Sequence, residues 1–200
     1  MTAAVIIWLT KFITGASVRW AGCDPVQRQR VYFANHTSHL DGVVLWSALP
    51  PSVRKVVRPV AAADYWMAGP IRKYLAMRVF NAILITREHV SAKNNPLTQI
   101  LNALDAKSSI IIFPEGHRNE GGEPGEFKSG LYHIMKKRPD IEFIPVYIDN
   151  MNRILPRGEF LPVPLLTCIS FGAPINVAKN ESKEEFLLRA RKSVNDLRQA

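Results

Sequence analysis

The sequence predicts a single α/β domain with a mainly parallel central sheet covered by helices, preceded by an amphipathic N-terminal helix. Three observations carry this. Short β-branched or aromatic runs alternate along the chain with segments of helical patterning, as in strands joined by helical crossovers. Most of the runs are apolar throughout, the pattern of strands buried on both faces. The 200 residues, 47% apolar and 22% charged with no repeat or low-complexity tract, suffice for one packed core but not for two domains of ordinary size.

In chain order, Val5, Trp8, Leu9, Phe12, Ile13 and Ala16 recur at helical spacing, giving an apolar face that either packs on the domain or lies in a lipid interface. The apolar run ends at Lys11, well short of the roughly 20 residues a spanning helix needs, and no basic region precedes it, so neither a span nor a signal peptide is expected. Trp20-Ala21-Gly22-Cys23 is a faint lipoprotein box, opposed by Arg19 beside it and Lys11 before it. Residues 1–16 are therefore read as an interface helix and 17–200 as the folded domain.

Strands are expected at Val31 to Ala34, Val56 to Ala61, Ala82 to Thr86, Ser109 to Phe113, Glu142 to Ile148 and Leu165 to Phe171. Helices are expected at His39 to Ala48, Asp64 to Phe80, Pro96 to Leu104 and Ser129 to Lys137. A closing helix, Lys183 to Leu197, opens after Ser182 with Glu185 three residues on, a capping-box pattern. Glu115 to Lys128, with four glycines and one proline, is a loop leaving a strand end, where α/β sheets place their chemistry.

Lys and Arg outnumber Asp and Glu by 26 to 17, a net charge of +9 that favours an anionic partner: nucleic acid, acidic lipid headgroups or a phosphorylated substrate. No recognition module or aromatic-basic repeat supports nucleic acid. The two cysteines, Cys23 and Cys168, lack metal-ligand spacing and fit a reduced compartment.

Asn35-His36-Thr37-Ser38-His39-Leu40-Asp41 joins an expected strand to an expected helix. His36 and Asp41 are five residues apart, about 140° around a continuous helix, so they meet only if the chain turns between them. Ser38 as N-cap would supply that turn. A His held by a carboxylate is a competent general base: the partner fixes its tautomer, and the unperturbed pKa of about 6.5 suits neutral pH. Two other readings remain open from this segment. Ser38 and Asp41 can form a simple helix cap, and His36, His39 and Asp41 can join Glu115 or His117 around a divalent metal.

The second motif, Phe113-Pro114-Glu115-Gly116-His117-Arg118-Asn119, ends an apolar strand. Taken together, His36 and Asp41 resemble the His-x4-Asp motif of the glycerolipid acyltransferase superfamily, and Phe113 to Asn119 resembles its Phe-Pro-Glu-Gly-Thr-Arg-Ser motif. Ile85-Thr86-Arg87 resembles the block ending in arginine, Ile144-Pro145-Val146 the final Val/Ile-Pro-Val block, and Ser17 to Gly22 the short strand before the first motif. Four blocks in order identify the chain as similar to the 1-acylglycerol-3-phosphate acyltransferase family.

The resemblance implies that His36 and Asp41 are catalytic and that Arg87, Glu115, Gly116 and Arg118 bind the acceptor. Arg87 and Arg118 carry planar forks suited to a phosphate, Glu115 can accept from a glycerol hydroxyl, and Lys128 adds a third cation. It also implies direct acyl transfer from acyl-CoA or acyl-carrier protein to the free hydroxyl of 1-acylglycerol 3-phosphate, forming phosphatidic acid, with no metal and no cofactor beyond that co-substrate. Backbone N–H groups after Ser38 or at Gly116 are candidate oxyanion donors, and Trp46, Trp66, Tyr74, Met77 and Phe80 are candidate walls for the acyl chain. The partners implied are a lysolipid, the acyl thioester and a membrane surface, with the enzyme peripheral on the cytoplasmic face. His117 and Asn119 stand where the family has Thr and Ser, and Asn81-Ala82 where it has glycines. These departures leave open another lysophospholipid or a lyso-ornithine lipid as acceptor. A metal-dependent esterase or phosphatase and a lipid binder without catalysis are the competing classes.

Overall fold

The computed structural model describes residues 2–86, 94–119, 123–151 and 166–198. The chain runs α1 (Thr2–Thr14), β1 (Ser17–Trp20), β2 (Arg30–Ala34), α2 (Asp41–Ala48), α3 (Pro51–Arg54), β3 (Val57–Ala62), α4 (Ala63–Trp66), α5 (Pro70–Tyr74), a π-helical turn (Leu75–Val79) and β4 (Ile83–Ile85). It continues through α6 (Pro96–Asp105), β5 (Ser109–Ile112), α7 (Gly130–Lys137), β6 (Glu142–Ile148), β7 (Cys168–Phe171) and a closing helix, α8 (Lys183–Asp196).

The strands form one seven-stranded sheet in the order β1-β7-β6-β2-β5-β3-β4. The run from β6 to β4 is parallel, and β7 pairs antiparallel with β6 while running parallel to β1. The mainly parallel sheet expected from the sequence is the observed one. Strand alternation divides the core into two layers. Val31 and Phe33 of β2 face a layer with Ile110, Phe143, Leu104, Ile134 and Phe186, beneath α6, α7 and α8. Tyr32 and Ala34 face the other, with Ile111, Ile144, Val44 and Leu45 beneath α2. The capping box at Ser182 and Glu185 is present, each side chain bonding the other's backbone N–H.

The helix expected over Asp64 to Phe80 is broken. Gly69 is extended at φ −174°, and Pro70, which has no N–H to donate, opens a new helix, so two short helices and a π turn replace one long helix. α1 packs through Ala3, Ile6 and Ile7. Trp8 and Phe12 stack at 5.4 Å and are 62% and 74% exposed, so the apolar face read from the sequence points away from the core. Among the described residues, no helix is long and apolar enough to cross a membrane.

Candidate active site

Two adjacent parallel strands bring the motifs together. Phe33 of β2 pairs with Ile112 of β5, so the chain leaves both strands at the same end of the sheet. From β2 it crosses past β5 to β3, and from β5 it crosses past β2 to β6. Connections that depart in opposite directions open a crevice between the two strand ends, the usual position of a site in such a sheet.

At the β2 end, the Asn35 side chain continues the ladder. Its Nδ2–H donates to the Ile148 carbonyl at 2.9 Å and its Oδ1 accepts from the Ile148 N–H at 2.8 Å. His36 follows, with Nδ1 2.8 Å from Asp41 Oδ2. A carboxylate only accepts, so Nδ1 carries the proton and Nε2 is left as the basic nitrogen. Nε2 makes no hydrogen bond to a described residue, and the ring lines a cavity. Phe113, stacked on the imidazole at 4.4 Å, fixes its plane.

The turn that joins the pair is not the one the sequence suggests. Ser38 is not the N-cap of α2; the helix begins at Asp41 after Leu40, which makes no side-chain cap bond. Instead Asp41 Oδ2 accepts the N–H groups of Thr37 and Ser38 at 2.6 and 2.8 Å, as well as the His36 ring. One fully buried carboxylate thus folds the loop and orients the histidine together. The Gly116 N–H donates to the Phe113 carbonyl and those of Leu40 and Asp41 donate to Ser38, which leaves the expected oxyanion donors to the start of α2. Gly42 and Val43, in the first turn of α2, line the cavity with N–H groups that lie before any intrahelical acceptor.

Glu115 also differs from its expected role. It is fully buried, and it does not line the cavity. Its Oε1 accepts the His36 N–H at 2.8 Å and its Oε2 accepts the Gly125 N–H at 2.9 Å. Both oxygens tie backbone to backbone, so Glu115 positions the histidine and the loop rather than meeting a substrate hydroxyl. Burial pushes its carboxyl above the ordinary range, against the pull of the two N–H donors. The loops are also joined by the Asn119 N–H, which donates to the His36 carbonyl at 2.8 Å.

Gly116 has φ +72°, and a Cβ there would sit 2.8 Å from Lys128 Nζ. Glycine is therefore needed both for the backbone and to let the lysine lie across the loop. Arg118 and Lys128 line the same cavity as His36, and neither makes an ion pair with a described residue. Arg87 lies outside the described residues.

The cavity holds about 1010 Å³. Trp66 and Phe80 line it as expected, together with Ile100 and Ile134. Three other candidates do not: Trp46 is buried with its ring edge-on to Phe80 at 5.1 Å, and Tyr74 and Met77 face outward. His39 stacks on Tyr65 at 4.5 Å, and burial together with the charges of Arg118, His36 and Arg72 pushes its pKa down. His39 is thus turned to an aromatic ring, and among the described residues no three His, Cys, Asp or Glu side chains converge as a metal site. Arg72 and Tyr65, both on the cavity wall, were outside every motif; their helical register gives no signal because the Gly69-Pro70 break sets their geometry.

The profile of the Acyltransferase family matches residues 17–149. The chain belongs to that family. The matched span runs from β1 to the end of β6 and includes every residue of the dyad and both loops. Family relatives include the 1-acyl-sn-glycerol-3-phosphate acyltransferase of Limnanthes douglasii, 24% identical over 86% of this chain and 58% of that protein. The human enzyme named 1-acyl-sn-glycerol-3-phosphate acyltransferase alpha is 26% identical over 70% of this chain and 48% of its own length. This acyltransferase-family chain therefore spans less than two thirds of either relative. The crystal structure of the 1-acyl-sn-glycerophosphate acyltransferase of Thermotoga maritima shares the fold, with a TM-score of 0.77 at 19% identity over 98% of this chain and 78% of that one.

Proposed function

We propose that the chain transfers a fatty acyl group from acyl-CoA or acyl-carrier protein to the free hydroxyl of 1-acylglycerol 3-phosphate, forming phosphatidic acid. The observation that carries this reading is the 2.8 Å His36–Asp41 pair whose open nitrogen shares a cavity with Arg118 and Lys128. His36 Nε2 takes the proton of the acceptor hydroxyl as that oxygen attacks the thioester carbonyl. The resulting imidazolium is stabilised by Asp41. Collapse of the tetrahedral intermediate breaks the carbon–sulfur bond, and the thiolate leaves with the proton returned from His36. The N–H groups of Gly42 and Val43 are the donors proposed for the oxyanion. No acyl-enzyme forms, and no cofactor takes part. Purified protein with labelled acyl thioesters and a panel of lysolipids, the products identified by mass, tests this directly; a product other than phosphatidic acid would move the headgroup to another lysolipid.

Arg118→Ala is expected to raise KM for the phosphate-bearing acceptor about 10- to 100-fold, the value of a charge-assisted contact, with far less effect on the thioester. Arg118→Lys recovers part of this, since an ammonium lacks the planar fork. Arg87, on sequence grounds, carries the same proposal. An unchanged acceptor KM in steady-state kinetics of both alanine variants would remove the arginines from the headgroup site.

The lipid acceptor calls for contact with a bilayer, and we assign this to α1. Its outward Trp8 and Phe12 are joined by a second exposed group, Ile71, Tyr74 and Met77, and the two segments meet where Thr2 Oγ1 and the Tyr74 hydroxyl are 3.3 Å apart. Apolar insertion of this kind resists salt, whereas Lys11 and Lys73 each add about 1 kcal/mol or less toward anionic lipid and are screened. The 200-residue chain is expected to sediment with anionic vesicles, more weakly at high salt, and a chain lacking residues 1–16 to lose most of that binding. Equal sedimentation of the two would confine α1 to packing.

A further inference from the structure

The cavity has a second cationic position that no motif contains. Arg72, on α5, lines it, and its guanidinium lies 4.5 Å over the ring of Tyr65, itself stacked on His39. Four arginines of the described residues are held in ion pairs: Arg28 and Arg30 with Glu142, Arg138 with Asp105 and Asp140, and Arg189 with Glu181. The Arg72 guanidinium makes no hydrogen bond or ion pair with any described residue, although Asp64 lies on the same cavity wall. Its position is held by the aromatic ring, which fixes the guanidinium plane and leaves its N–H edges for a ligand.

The charge of Arg72 is felt inside the site. With burial, Arg118 and His36, it contributes to holding the His39 pKa down. Two guanidiniums from separate elements, one from α5 and one from the loop after β5, thus face one cavity with no ion pair to a described residue. A wall so charged, with its apolar floor at Phe80 and Ile100, suits an amphiphile with a phosphate at one end.

We propose that Arg72, planed by Tyr65, is a phosphate-binding residue of the cavity, separate from Arg118 and Lys128. The proposal rests on the acyltransferase reading for its choice of ligands. Both proposed substrates carry the required chemistry, a phosphate ester on the lysolipid and one on the pantetheine arm of the donor, and the test separates them.

Arg72→Ala and Arg72→Lys are compared with wild type in full-length protein, using lysophosphatidic acid against monoacylglycerol as acceptor and acyl-CoA against acyl-pantetheine as donor. The alanine variant is expected to raise KM about 10- to 100-fold for one phosphate-bearing partner, with kcat little changed and its phosphate-free analogue unaffected. The lysine variant recovers only part. A rise confined to lysophosphatidic acid assigns the contact to the acceptor, and one confined to acyl-CoA assigns it to the donor. Unchanged KM values for both overturn the proposal. Calorimetric binding of short-chain lysophosphatidic acid and of CoA to the same proteins needs no turnover. If wild type turns over no lysolipid, the acyltransferase reading fails, and loss or retention of phosphate binding in Arg72→Ala still decides the role of Arg72.

Discussion

His36→Ala is expected to lower kcat by about 10² to 10⁴, the range of general-base assistance, while leaving the melting temperature and lysolipid binding near wild type. The side chain is a fifth exposed, at 22%, and its ring bonds one protein group, so its removal leaves little unpaired beyond the Asp41 carboxylate. Asp41→Asn is the milder change in chemistry and the harsher one in structure. The amide can still accept from backbone N–H, but it cannot stabilise the imidazolium and it can turn its NH₂ toward a donor. His39→Ala should do much less than either, because His39 packs on Tyr65 and makes no hydrogen bond to Asp41, whose Oδ2 is taken by His36, Thr37 and Ser38. Steady-state kinetics with circular dichroism on the three variants checks this order, and equal losses at His36 and His39, reversed by added zinc, would bring the metal reading back.

Glu115→Ala is expected to be the most damaging change away from the dyad. It strands two part-buried N–H groups, those of His36 and Gly125, each costing up to about 1 to 3 kcal/mol when left unpaired. It also frees the backbone of the proposed base, where a displacement of about 1 Å is enough for a 10²-fold loss in rate. Glu115→Gln keeps one acceptor and so should lose less in both respects, which separates positioning from simple failure to fold. The pH dependence has a definite sign. Because burial raises the folded carboxyl pKa above the unfolded one, the unfolded chain releases its proton first as pH rises. The Glu115 contribution to stability is therefore largest below the ordinary carboxylate range and falls as pH rises through the folded value. Urea unfolding of wild type and Glu115→Gln across mildly acidic pH should show this slope in wild type and lose it in the variant; parallel curves would mean that Glu115 is ionised alike in both states.

Much of the molecule was written in local patterns. Strands β2 and β6 are apolar beyond their first residues, Arg30 and Glu142, because both faces are covered, and the capping box at Ser182 needs only residues three apart. The dyad and the loop after β5 were legible because their residue types are clustered within short stretches of chain. What the sequence by itself determined is therefore the α/β class, most of the order of elements, and the short stretches that carry the His36–Asp41 pair and the loop after β5.

Tertiary structure decided the rest, because hydrogen-bond partners and ring contacts follow from which strands lie side by side. Glu115 reads as a substrate ligand until β2 and β5 are paired, when its carboxylate falls on the N–H of a residue 79 positions away. Asp41 forms the turn that Ser38 seemed suited to form as a helix cap, since one buried carboxylate serves both the loop and the imidazole. In the continuous helix expected over Asp64 to Phe80, Tyr65 and Arg72 would stand about 10 Å apart along the axis. The break at Gly69-Pro70 lays the guanidinium on the ring instead, 4.5 Å from its centre, and turns an unremarked surface arginine toward the cavity.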